Sequence, residues 1–364
     1  MRASAHSVHS SPSLAADRRQ LDFPFGNPPE GGATLEVAPG VHWLRMPLPF
    51  QLDHINLWLL EDQDGWTIVD CGLSDARTLV LWEQIFKLQL AGRPVRRLLV
   101  THCHPDHAGN AAWLCQRFGA GLWMTQGEYL TAHALRHEIA GYGARASLAL
   151  FTRHGLHGEH RAALEKRGNA YSLYVPDFPR GYRRVVDGDT LPIGGRGWRA
   201  MVGYGHAPEH LSLHCAELGL LISGDMLLPK ISTNVSVWSI EPEGDPLGLF
   251  LASIGRYRAL PAETLVLPSH GLPFRGAQER VAQLEAHHAA RLSELEAALV
   301  GEARSAMEIL ETIFPRKLDV HQMFFALGET IAHLNRLVHA GRALRGVGED
   351  GIERFTLTRE RGGA

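Results

Sequence analysis

Apolar positions along this chain switch repeatedly between a period of two and a period near 3.6. From Thr34 to about Leu60, short runs of Val, Leu, Ile and Trp broken by Pro39-Gly40, Pro47 and Pro49 predict a β-meander of two or three strands. Gly65 to Val69 reads as a further strand ending at Asp70-Cys71-Gly72. Residues 76–90 then return to helical spacing, with Leu79, Trp82, Ile85, Phe86 and Leu90 on one face. Val95 to Val100 is again a strand, and Asn110 to Phe118 is helical through Ala111, Leu114, Cys115 and Phe118. Between Gln126 and Val185 the alternation gives way to a polar, basic, helical stretch that reads as an inserted cap. Strands resume at 190–203, 211–223 and 264–267. A long amphipathic helix then runs from Ala277 to Leu299 on Val281, Leu284, His288, Leu292, Leu295 and Leu299. Alternating strands and helices predict an α/β fold.

The pattern also divides the chain. Residues 1–33 are Ser-, Ala-, His-, Pro- and Gly-rich without an apolar core segment, so they read as a disordered tail and not a secretory signal. Residues 34–276 form the principal domain, interrupted by the insertion at 126–185, and 277–301 link it to a small unit at 302–364. There Ser305-x-x-Glu308 is a capping box, Pro315 stops a helix, Asp319 can cap the next, and Ala332 to Ala340 reads as a third. Arg342 to Thr358, turning at 348–351, suggests a β-hairpin. Three helices and a hairpin are winged-helix-like, but nine basic against nine acidic residues make a poor nucleic-acid binder. A packing or dimerisation role suits the module better, and a homodimer is compatible with it.

Composition narrows the function classes. At 364 residues, 45% hydrophobic, the chain can bury a substantial core, and a net charge of −3 gives no field that would draw nucleic acid or an anionic membrane. No run approaches the about 20 apolar residues of a membrane span. Four cysteines without a Cys-x-x-Cys pair indicate neither a disulfide framework nor a zinc knuckle, and they suit a reducing cytoplasm. The insertion carries nine basic residues against five acids. That excess reads either as a solvated helical surface or as a cap facing an anionic small-molecule substrate.

The chemistry is concentrated at strand ends. Thr101-His102-Cys103-His104-Pro105-Asp106-His107 follows an apolar strand directly, and packing alone does not explain so many metal-ligating groups there. In an extended segment alternate residues point the same way, so His102 and His104 can grip one ion while Asp106 and His107 turn towards a neighbour. Other apolar runs end near Asp70, Asp225 and His270, and His206 lies in Gly205-His206-Ala207-Pro208-Glu209-His210. Two divalent ions about 3.5–4 Å apart can share a hydroxide and polarise a scissile bond. Asp106 is also placed to orient that water or accept its proton, a catalytic role.

This ordered set, from about Thr34 to Gly276, resembles the metallo-β-lactamase superfamily, whose αββα sandwich carries its ligands on loops at one edge of two packed sheets. The resemblance implies that His102, His104 and His206 hold one metal, Asp106, His107 and His270 the second, and that Asp225 bridges them. It also implies that Asp70 orients the ligands. His210 is expected to buttress the 206 loop, and Cys103 to be a small buried side chain. The implied cofactors are two divalent ions, zinc first, with iron and manganese as alternatives. An aspartate at 225 separates this chain from the true β-lactamases and aligns it with glyoxalase-II-like relatives, implying hydrolysis of a thioester of glutathione or coenzyme A. Phosphodiesterase or endoribonuclease, lactonase and iron-dependent sulfur dioxygenase activities are the alternatives. His54 and Asn56 lie near the presumed edge, where they either touch substrate or serve a turn. The cap histidines His133, His137, His154, His157 and His160 read as exposed. No substrate-binding residue is assigned.

Overall fold

A computed structural model describes residues 20–139, 141–313, 318 and 320–358. Seven strands form the first sheet in chain order: β1 (Leu35–Ala38), β2 (Val41–Pro47), β3 (His54–Asp62), β4 (Gly65–Val69), β5 (Val95–Leu99), β6 (Gly121–Met124) and β7 (Arg183–Arg184). The pairing is antiparallel up to β4 and parallel from β4 to β7. The second sheet contains β8 (Thr190–Ile193), β9 (Arg196–Gly203), β10 (His210–Cys215), β11 (Leu220–Gly224) and β12 (Leu265–Pro268), in the order β12-β11-β10-β9-β8. Only β11 and β12 run parallel within it.

The period of two explains the layering. On the first sheet Leu44, Met46, Ile55, Leu57, Leu59 and Ile68 bury themselves beneath helices, while Val41, Trp43, Trp58, Leu60 and Val69 face the second sheet. There they meet Trp198, Leu211, Leu213, Ile222 and Leu267. Trp43 and Trp58 are cross-strand partners, stacked with ring centroids 6.2 Å apart, which fixes the β2–β3 register from inside the sandwich. Outside the first sheet lie α1 (Ala76–Ile85), prolonged by a π-helical turn at Phe86–Leu90, α2 (Pro105–Ala108) and α3 (Ala111–Phe118). Between β6 and β7 the chain makes α4 (Gln126–His137), α5 (Ala144–Arg153), α6 (Gly158–Arg167) and α7 (Tyr171–Tyr174). Outside the second sheet lie α8 (Pro246–Gly255) and α9 (Ala277–Ala298), which complete an αββα sandwich.

The C-terminal module contains α10 (Ala306–Ile313), α11 (Val320–His339) and a hairpin of β13 (Ala343–Val347) and β14 (Glu353–Leu357). The capping box forms: Ser305 N donates to Glu308 Oε2 at 2.7 Å and Glu308 N to Ser305 Oγ at 3.3 Å. The segment expected as a third helix, 332–340, starts no new helix: α11 continues through it to His339. Its mid-helix Gly328 marks a close approach, since a Cβ there would lie 2.9 Å from Ser236 Oγ in the loop after β11. The stop and cap expected at Pro315 and Asp319 lie outside the described residues. Residues 20–33, grouped above with the tail, touch the fold at several points: Asp22 bridges to Arg275, Phe23 meets Phe274 and Phe25 meets Trp43. The tail residues 1–19 are outside the described residues.

The parallel pairing of β4 with β5 and of β11 with β12 sets the rim where chemistry collects. Asp70 follows β4, the 101–107 run follows β5, Asp225 follows β11 and His270 follows β12, while His206 sits between β9 and β10. Gly109 closes the 101–107 turn against this rim. A Cβ at that position would lie 2.6 Å from Ser74 N and 2.7 Å from both Gly72 O and Pro105 O. Those contacts are all backbone, so Gly109→Ala should cost about 1–3 kcal/mol, as overpacking does. Denaturant titration would read this as a lowered midpoint, and an unchanged midpoint would show that the loops can part.

Candidate metal centre

Asp70 has a left-handed backbone (φ 60°), a conformation that aspartate tolerates better than most residues and that turns its carboxylate back over the strand ends. Oδ1 accepts from Thr101 N at 2.7 Å, and Oδ2 accepts from Thr101 Oγ1 at 2.9 Å and from His107 Nδ1 at 2.8 Å. With its proton given to Asp70, the Thr101 hydroxyl is free to accept from His102 Nδ1 at 3.0 Å. His206 Nδ1 donates to Asn234 O at 2.7 Å, and His270 Nδ1 to His54 O at 2.8 Å. In all four rings the outward nitrogen is thus committed as a donor, leaving Nε2 inward with a lone pair.

Those lone pairs converge in two groups, His102, His104, His206 and Asp225 in one, Asp106, His107 and His270 in the other. His102 Nε2 lies 2.9 Å from His104 Nδ1 and 3.2 Å from His206 Nε2. Asp225 reaches both groups. Its Oδ2 is 3.4 Å from His206 Nε2, and its Oδ1 is 3.4 Å from His270 Nε2 and 3.5 Å from His107 Nε2. Asp106 Oδ2 lies 3.5 Å from His270 Nε2 and 3.7 Å from His107 Nε2. His107 Nε2 and Asp225 Oδ1 are buried without a hydrogen-bond partner among the described residues. Buried acceptors facing one another need a cation between them, and this donor set fits divalent metal ions. Burial, reinforced by neighbouring imidazoles, holds His102 and His104 well below the usual histidine range, in the neutral form that ligates. Against the pull of burial, Asp70, Asp106 and Asp225 hold His107 well above that range, and Asp225 with its neighbouring carboxylate Asp106 raises His270. An incoming cation displaces those protons, so metal affinity falls as pH falls.

A profile for the metallo-β-lactamase superfamily matches residues 51–270. The chain belongs to the metallo-β-lactamase superfamily. A second profile, for a metallo-β-lactamase-like C-terminal domain, matches residues 292–358. The crystal structure of a β-lactamase domain protein from Burkholderia ambifaria is 53% identical, with a TM-score of 0.87, covering 93% of this chain and 98% of that one. The probable metallo-hydrolase YqjP of Bacillus subtilis is 23% identical over 81% of this chain and 91% of its own length. The atrochrysone carboxyl ACP thioesterase of Aspergillus fumigatus is 24% identical over 77% of this chain and 75% of its own. Family and site together make the protein a metal-dependent hydrolase.

Around this metallo-β-lactamase-type centre, the structure adds supports that spacing did not reveal. Glu128, fully buried in the first turn of α4, accepts from Cys103 N at 2.8 Å and Glu209 N at 2.6 Å, clamping the loops that carry His104 and His206. Tyr171 donates from its hydroxyl to Cys103 O at 2.6 Å. Both come from the insertion, where one acid and one tyrosine among several carry no distinguishing pattern. His210 is buried and its Nε2 accepts from Asp225 N at 3.1 Å, so it braces the Asp225 turn. The Cys103 side chain is buried in the core beneath the first sheet. His54 and Asn56 serve the rim: His54 Nε2 accepts from Gly271 N at 2.9 Å, and Asn56 Nδ2 donates to Pro268 O at 2.8 Å. His154 is not exposed. It is wholly buried, stacked on Phe355 with its Nε2 3.7 Å from Glu353, because α5 packs against the C-terminal hairpin.

Two substitutions test this geometry. Glu128→Gln turns one accepting oxygen into a donor facing a backbone N–H, which should cost about 1–3 kcal/mol and weaken metal binding about 10–100-fold. Competition with a chelator measures it, and unchanged metal affinity would show that the clamp does not position the ligands. Asp225→Ala should abolish simultaneous occupancy of both groups, read by metal analysis after dialysis against buffered metal. Retention of a full complement would overturn the bridging assignment.

Proposed function

We propose that the protein hydrolyses an acyl thioester of coenzyme A or glutathione, using two zinc ions held by His102, His104 and His206 and by Asp106, His107 and His270, with Asp225 shared. The observation that carries this reading is Asp225, which presents one oxygen to each group. Support for the thioester comes from the relative named as an ACP thioesterase. Bound divalent ions would supply Lewis acidity and water of lowered pKa. Asp70 and Thr101 hold His102 and His107 in the tautomers that face the ions. Asp106 is partly open to solvent (side chain 19% exposed) and lies beside His107 and His270, where its carboxylate would orient an attacking water and accept its proton.

The substrate is read as a small anionic molecule, as glutathione and coenzyme A conjugates are, met in a reducing cytoplasm that suits thiols without disulfide partners. Among the described residues no helix is long and apolar enough to cross a membrane. Some basic side chains of the insertion have packing roles: Arg153 pairs with Glu353, Arg183 lies over Trp123, and Arg136 donates to Val175 O.

The deciding experiment assays acyl-CoA and glutathione thioesters, lactones and bis-p-nitrophenyl phosphate with zinc-loaded protein, and follows oxygen uptake on a persulfide with iron-loaded protein. Thioester turnover should dominate and fall at least about 100-fold on chelation or in His104→Ala, as loss of metal Lewis-acid chemistry demands. Faster lactone or phosphodiester cleavage, or oxygen uptake, would overturn the substrate assignment. Turnover indifferent to metal would overturn the mechanism.

A further inference from the structure

The seam between α9 and α11 holds a second cluster of imidazole and carboxylate that the hydrolytic centre does not use. His287 and His288 lie on α9, Glu329 and His333 on α11. His333 Nδ1 donates to Glu329 O one turn earlier at 2.8 Å, so in the neutral ring its Nε2 carries a lone pair. That nitrogen is 3.1 Å from His288 Nδ1 and accepts its proton. The His288 lone pair therefore sits on Nε2, which is buried without a partner among the described residues. A ring nitrogen each from His287 and His288 and one carboxylate oxygen of Glu329 lie within 4.8 Å of one another.

We propose that His287, His288 and Glu329 form a separate site for one divalent transition-metal ion, with His333 as the positioning residue that fixes the His288 tautomer. Two imidazoles with one carboxylate select zinc or a similar ion over calcium or magnesium. The donor state is right: burial lowers His288 to about 3 and His333 to about 4, so both rings are neutral at neutral pH. Burial pushes the Glu329 carboxyl up to about 7, a proton that the ion would replace. Arg291, one turn along α9, pairs with Glu294 at 2.7 Å while its charge also acts on the cluster, favouring the neutral imidazoles and the ionised Glu329 carboxylate, and Phe250 of α8 closes the apolar side of His288. An ion here would staple the linking helix to the C-terminal module.

The test uses the full chain dialysed against buffered zinc at pH 8, with bound zinc counted by mass spectrometry and thermal unfolding followed with and without zinc. Glu329→Gln and His287→Ala should each hold about one zinc fewer than the parent, with hydrolysis unchanged and a smaller zinc-dependent rise in Tm. His287 is partly exposed, so its variant should keep the metal-free Tm of the parent. With the hydrolytic centre disabled by Asp225→Ala and His270→Ala, a zinc should remain that Glu329→Gln removes, which separates this site from the first. Equal zinc content and equal Tm response in parent and both variants would overturn the proposal.

Discussion

A single buried carboxylate, Asp70, ties the two halves of the rim's chemistry together. Its backbone turns where β4 ends, its oxygens take the amide and hydroxyl of Thr101 where β5 ends, and through them it sets the rings of His102 and His107. Parallel pairing of β4 with β5 makes this reachable, because both strands finish at the same edge. One hydrogen-bond chain thus aligns a ligand from each metal group.

The sandwich supplies what such a cluster needs in order to persist. Imidazoles and carboxylates withdrawn from water are costly unless each polar atom is matched, and here the outward atoms are matched by protein while the inward ones face each other. The Trp-rich layer between the sheets holds the strand ends rigidly enough for that matching. The C-terminal module contributes as well: Gly328 lets α11 approach the loop whose Asn234 carbonyl fixes His206.

Much of this was legible in the sequence, for physical reasons. Short apolar runs along 41–69, broken by Pro and Gly, report the strands of a sheet, and histidines or aspartates directly after apolar runs report strand ends that share an edge. Other features depend on partners far away in sequence. Glu128 is an ordinary helix-start acid until Cys103 and Glu209 amides are brought to it. Leu21, Phe23 and Phe25 sit in a Pro- and Gly-rich stretch whose composition hides the groove that receives them. The continuity of α11 through Gly328 runs against local propensity and is settled by packing. His154 looks like a surface histidine in a helical pattern until α5 is packed, and His288, although it falls on the apolar face of its helix, shows its pairing with His333 only once α9 and α11 meet.

The clamp on Cys103 has a mechanical consequence. The peptide between His102 and His104 is held on its amide side by Glu128 and on its carbonyl side by Tyr171, both residues of the insertion. Insertion and ligands therefore share one lever arm: any displacement of α4 or α7 pulls on the peptide that sets the spacing of the two histidines.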